Sequence, residues 1–140
     1  MYEHHNILNT SIFSLDGTKC ICRLVDIIDG DTFEVILKYK EDFFRFRVRL
    51  HGIDTEELKS KDEEKKQSAL KAHEKVVELC CGTEISTDRK DIRNYLIDNV
   101  VLLTIHCKHF DSFGRILADV FFDDHSLSAY LLNNKLAKID

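Results

Sequence analysis

The chain has 140 residues, of which 44% are apolar and 32% charged, with five cysteines, no proline and a formal net charge of −5. That size suits one self-sufficient core, and the apolar share excludes disordered, collagen-like and coiled-coil compositions. A net negative chain does not coat nucleic acid by bulk electrostatics, so any phosphate recognition must be local.

The first eighteen residues hold Glu3 and Asp16 but no Lys or Arg, and polar residues interrupt every apolar stretch. No secretory leader is expected. The longest apolar runs, such as Asn99 to Ile105 and Ile116 to Phe122, are strand-length, so no membrane span is expected. An intracellular location follows as the expectation, in which an odd number of cysteines stays reduced.

Lys19 to Ile28 reads as a strand, Asp29-Gly30 as a hairpin turn, and Thr32 to Tyr39 as the returning strand. After a turn at Lys40 to Asp42, Phe43 to Leu50 alternates Arg45, Arg47 and Arg49 with apolar residues, which puts the arginines on one face. Ser60 and Glu63 form a capping-box pattern ahead of a helix reaching Cys81. Its apolar positions are Ala69, Ala72 or His73, Val76 and Cys80, with Leu70 and Val77 alongside, and Gly82 fits a left-handed cap. Residues 84–99 read as an inserted excursion with one helical turn near Asp91 to Leu96. Two more strands, Val100 to Cys107 and Arg115 to Phe122, flank a turn at His109 to Gly114, and Ser126 to Lys138 reads as a closing helix. The order β-β-β-α-β-β-α predicts a mainly β, α+β fold: a five-stranded Greek-key barrel of the OB type with two packed helices.

Three strings carry the chemistry: IDGDT at Ile28 to Thr32, RLHGIDTEE at Arg49 to Glu57, and DSFGR at Asp111 to Arg115. Singly each has a bland reading, as a hairpin turn, a solvated acidic loop before a helix, and another turn. Jointly they resemble the staphylococcal nuclease (thermonuclease) family, in the same order and over roughly Lys19 to Lys138. The resemblance divides the chain into an N-terminal extension at 1–18 and an OB-fold domain at 19–140 with an insertion at about 84–99. It implies a calcium-dependent phosphodiesterase with one Ca2+ held by Asp31, Asp54 and the Thr55 carbonyl. Glu57 would activate or position the attacking water, Arg49 and Arg115 would grip the phosphate, and 3′-phosphate ends would result.

Elementary chemistry asks for these residue types. A phosphodiester under attack accumulates charge on its equatorial oxygens, which preorganised cations must meet, and an arginine fork holds two such oxygens without losing its proton. Water needs a carboxylate within hydrogen-bond reach. Oxygen-only donors suit calcium rather than zinc. Arg47, with Arg45, extends the face of Arg49 and is a candidate substrate contact; a solvated face paired with acids across the sheet is the alternative. Phe113 is the other candidate, standing where the family has a tyrosine. Asp29 is read as a hairpin cap, and Cys20, Cys22, Cys80, Cys81 and Cys107 as buried thiols rather than zinc ligands.

The pattern departs from the family elsewhere: Ser112 replaces a lysine, Glu56 a proline, and the final helix with its base-stacking tyrosine has no counterpart in this sequence. Residues 1–18 and 84–99 are expected to cover the surface which that helix would bury. Two classes of function follow: a nuclease of DNA and RNA with little sequence preference, favouring single strands and acting as a monomer, or a non-catalytic OB module binding single-stranded nucleic acid or a protein partner.

Overall fold

Period-two patterning in the first three strands makes each half apolar and half polar, and a sheet built from them must curl to hide its apolar face. In the computed structural model, which describes residues 1–140, it does so by closing on itself. The strands are β1 (Lys19–Ile27), β2 (Thr32–Tyr39) and β3 (Asp42–Leu50), then the short β4 (Ile53–Asp54). Helices α1 (Glu63–Cys81) and α2 (Arg89–Asp98) precede β5 (Leu102–Phe110), β6 (Ile116–Phe122) and the two-residue β7 (His125–Ser126). Helix α3 (Leu127–Asn133) and β8 (Lys138–Ile139) end the chain.

Strands run in the order β3-β2-β1-β5-β6, antiparallel throughout, and a parallel pairing of β3 with β6 closes a five-stranded barrel. Phe33, Val35, Leu24, Ile27, Val48, Leu50, Ile105 and Ile116 fill its interior. The fold is therefore the expected mainly β, OB-type barrel, with three helices instead of two. Helix α1 covers the barrel with Ala69, Ala72, His73, Val76, Val77, Cys80 and Cys81, whereas Leu70 faces solvent. Its cap is Asp62, whose carboxylate accepts from Glu64 and Lys65 N–H, while Ser60 only accepts from Asp62 N–H. Asp outcompetes the Ser60 box because it stands directly before the first helical turn. Gly82 adopts φ 102° and ψ 165°, a glycine-only extended form rather than the left-handed helical cap.

Residues 84–99 hold a helix of ten residues, not one turn. Asp88 caps it by accepting from Lys90 N–H, and Ile92 and Leu96, four apart, are fully buried where it packs on β1. Conversely, the closing helix stops at Asn133. Asn134 Nδ2 donates back to Tyr130 O, Lys135 turns to φ 58°, and the freed segment pairs as β8 with β4. Residues 1–14 are exposed, but Leu15 enters the core and Phe13 stacks edge-on against Tyr39 at 5.5 Å. Four thiols are buried and Cys20 half-buried; burial pushes Cys22 up to about 12 and Cys107 to about 11, so they pack as small apolar groups.

Candidate functional site

Barrel closure, α1 and the last strand converge on the β1–β2 turn. Ile28 N–H donates to Thr32 O and Leu50 N–H to Asp31 O, which ties the turn to β3. From the other side, the His73 ring bonds the Ile27 carbonyl through Nε2 at 2.7 Å, so α1 holds the end of β1. Gly30 lies flat against that helix: a Cβ on it would stand 2.9 Å from Ala72 Cβ and 3.2 Å from Thr55 Cγ2. The segment carrying Asp54 is held as strand β4 by Lys138, its register partner on β8.

The result is a cavity of about 200 Å³ lined by Asp29, Asp31, Thr32, Arg49, Asp54, Thr55, Glu56, Glu57 and Arg115, with no hydrophobic residue. Six residues singled out from the sequence, scattered from 31 to 115, thus share one lining. Asp31 is buried; its two oxygens accept from Thr32 Oγ1 and from Thr55 N–H, each at 3.1 Å. Arg49 is the hub. Its Nη2 donates to Asp54 Oδ1 at 2.7 Å and lies 3.6 Å from Asp31 Oδ2, while Nη1 donates to the Leu50 and Ile53 carbonyls.

Asp29 does what a hairpin cap does, accepting from Asp31 N–H at 3.1 Å, yet its carboxyl also lines the cavity. Burial first, then the hydrogen bond and charge of Asp31, push Asp29 up to about 7. Burial opposes ionisation of Asp31 as well, but the bonds from Asp29 and Thr55 N–H and the charge of Arg49 outweigh it and hold Asp31 low. Of the two, Asp31 is therefore the carboxylate that ionises first. The sequence signal for this was two aspartates two apart across a tight turn, whose side chains meet.

Arg115 enters from the β5–β6 turn. Its Nε donates to Asp111 Oδ2 at 2.7 Å, and Asp111 Oδ1 accepts from the N–H groups of Phe113 and Arg115. One carboxylate thus closes the DSFGR turn and aims the guanidinium. Burial opposes the ionised form of Asp111, but those bonds hold its pKa down. Sequence reasoning missed this positioning role, although an aspartate four residues before an arginine across a glycine turn was its visible sign. Phe113 lies outside the cavity lining, 82% exposed, with its ring 5.3 Å from the Arg115 guanidinium carbon. Arg47 also lies outside, beside Glu34 at 3.9 Å, as does Arg45 at 3.2 Å; both line a neighbouring groove. His51 points to Asp119 at 3.9 Å, away from the cavity.

The donor set can be weighed against a hard cation. Five carboxyl groups face two guanidinium groups in the lining, an excess of negative oxygen that a divalent ion would balance. No histidine or cysteine lines it, which suits calcium and not zinc. No three His, Cys, Asp or Glu side chains form a ready-made cluster, because Arg49 reaches between Asp31 and Asp54.

Comparison with known proteins adds one finding. The family model described as staphylococcal nuclease homologue matches residues 47–140, which is 94 of the 140 residues. The match begins inside β3, so Asp31 joins the site from outside the matched span, through strand pairing. No curated protein matches the chain.

Proposed function

Because the chain belongs to the staphylococcal nuclease homologue family, we propose that it is a calcium-dependent nuclease that hydrolyses phosphodiester bonds of DNA and RNA with little sequence preference. The observation that carries this reading is the single all-polar cavity shared by Asp31, Asp54, Thr55, Glu57, Arg49 and Arg115. Asp31, Asp54 and the Thr55 carbonyl would hold one Ca2+, which when bound supplies positive charge beside the phosphate.

The chain's own residues do the rest. Glu57, exposed at the cavity rim, takes a proton from the attacking water or holds that water in line with the leaving oxygen. Arg115, held by Asp111 and backed by Phe113, presents its free Nη donors to the phosphate oxygens as charge builds on them. Arg49 now neutralises Asp54 and part of Asp31. Were a cation held at the two aspartates, its charge would take over the balance that Arg49 now provides and would leave the Arg49 guanidinium free for the phosphate. By family resemblance the bond to the 5′ oxygen breaks, leaving 3′-phosphate ends.

The test is digestion of single-stranded DNA with and without calcium by the wild type, Glu57→Gln and Arg115→Ala. Cleavage should require calcium, with kcat lowered about 10²–10⁴-fold for Glu57→Gln and about 10²–10³-fold for Arg115→Ala. Wild-type rates from both variants would refute these roles. Oligonucleotide binding without cleavage by the wild type would assign the chain to the second class, a non-catalytic OB module, which the arginines lying outside the cavity would also serve.

A further inference from the structure

Beside the cavity, on the outer face of the sheet, runs a groove of about 450 Å³ whose polar lining is Arg45, Arg47, Arg89, Arg93, Asp26 and Glu34. Strand register fixes the row: Asp26 opposes Glu34, Glu34 opposes Arg47, and Thr32, two residues along β2, opposes Arg49. Arg49, Arg47 and Arg45 therefore step outward from the cavity along β3 at about 6.7 Å per step, so that Arg45 is roughly 13 Å from Arg49. Helix α2 forms the opposite wall. Its Arg89 and Arg93, one turn apart, both reach Asp26, through Nη2 at 2.6 Å and Nε at 3.6 Å.

This ion-pair network is not closed. Four guanidinium groups, each with five donors, share two carboxylates, and the groove keeps two uncompensated positive charges. Asp26 has a side chain only 5% exposed, yet its Oδ1 has no partner, and neither has the buried Nε of Arg89. Glu34 meets Arg45 at 3.2 Å and Arg47 only at 3.9 Å. Side chains of Arg45, Arg47, Arg89 and Arg93 are 75%, 57%, 41% and 53% exposed, so their remaining donors face solvent. A buried carboxylate that orients two arginines outward, opposite two more on a strand, is a built cradle for an anion rather than a surface pair. The groove adjoins the cavity along β2 and β3: Glu34 and Arg47 of the groove stand two residues from Thr32 and Arg49 of the cavity lining.

We propose that this groove is a second phosphate subsite, in which Arg45 and Arg47 of β3 and Arg89 and Arg93 of the inserted helix hold the sugar-phosphate backbone of a nucleic acid strand whose scissile phosphate lies at Arg49 and Arg115. The inference rests on the nuclease reading and deepens it, because it makes substrate length matter: a strand must run several nucleotides past the cavity to engage α2. The insertion is then part of the substrate track.

The experiment uses the full chain with calcium in the Glu57→Gln background, so that substrate binds without being consumed. Fluorescence anisotropy measures labelled oligo(dT) of two and of ten nucleotides across a salt series, with and without Arg45→Gln plus Arg93→Gln, two exposed positions whose replacement should leave the circular dichroism spectrum unchanged. The ten-mer should bind more tightly than the dinucleotide, and the double substitution should reduce its salt slope by about 1.4, or about 0.7 for each lost phosphate contact. Unchanged slope and affinity for the ten-mer would overturn the subsite alone. Failure of the parent to bind either length would overturn the nuclease reading and the subsite together. A labelled decaglutamate peptide bound as tightly as the ten-mer would move the groove to an acidic polypeptide and overturn the proposal.

Discussion

Gly30 offers the sharpest test of how the site is positioned. A methyl group there would stand 2.9 Å from Ala72 Cβ, 3.2 Å from Thr55 Cγ2 and 3.4 Å from Thr55 Oγ1. Optimal carbon contacts lie at about 3.5–4.0 Å, so the turn must retreat from α1 by about 0.6–1.1 Å in Gly30→Ala. The backbone of Gly30 is not in the left-handed region, so the effect is steric and not conformational. Overpacking of this kind costs about 1–3 kcal/mol, read as a shift in the urea midpoint at constant m. The functional loss should be larger than stability implies, because the retreat carries Asp31 away from Thr55 N–H, and a displacement near 1 Å can lower kcat/KM by about 10²-fold. Ala72→Gly removes the opposing methyl at a helix-propensity cost of about 1 kcal/mol. Combined with Gly30→Ala it should recover activity and give a favourable coupling energy of about 1–2 kcal/mol in a double-mutant cycle. Strictly additive stabilities, or a Gly30→Ala protein as stable and active as the wild type, would refute the argument that this contact sets the aspartate's place.

Asp111→Asn keeps an oxygen for the Phe113 and Arg115 N–H groups but removes the charge that fixes the Arg115 guanidinium. It should lower kcat with little change in thermal midpoint, whereas Asp111→Ala should also cost about 1–2 kcal/mol of stability; equal activity of all three proteins would show that Arg115 needs no such anchor. His73 is buried, and burial lowers its pKa from 6.5 against the opposing hydrogen bond to Ile27. The unfolded chain therefore binds more protons than the folded one in acid, so its contribution is full above about pH 6.5 and is lost as pH falls from there through the lower folded value. Asp29, raised by burial and by Asp31, has the opposite slope, losing stability as pH rises from 3.8 to about 7. The diagnostic is thus the difference between the wild type and His73→Gln in urea midpoints from pH 5 to 8. That difference should change below pH 6.5 and be flat above it; a constant difference would mean that His73 does not titrate on unfolding.

Much of the site was legible because its parts are local. A tight Asp-Gly turn, an alternating arginine strand and a D-x-x-G-R turn each advertise their own backbone geometry, and residue type limits what each can do near phosphate. The errors lie where distant packing decides. By sequence α2 reads as a single turn because Ile92 and Leu96 are its only deeply buried residues, and their value depends on β1. The sequence pattern carries the closing helix as far as Lys138, yet β4 competes for that segment and takes it as β8. Along the chain Asp29 reads as a cap alone, since nothing there says that its carboxyl will be desolvated against Asp31.

The amino-acid order by itself determined the strand faces, the turn at Asp29-Gly30, the amphipathic α1 and the identity of the oxygen and guanidinium donors. Those are properties of neighbours along the chain, governed by periods of 2.0 and 3.6 residues. Only the tertiary structure decided that Arg49 bridges Asp31 and Asp54, that Ala72 presses on Gly30, and that α2 faces Arg45 and Arg47 across a groove. Each of those depends on barrel closure through β3 and β6, a pairing across 68 residues between Val48 and Ile116. Such a contact gains its free energy from burying a shared core, and no short-range pattern encodes it.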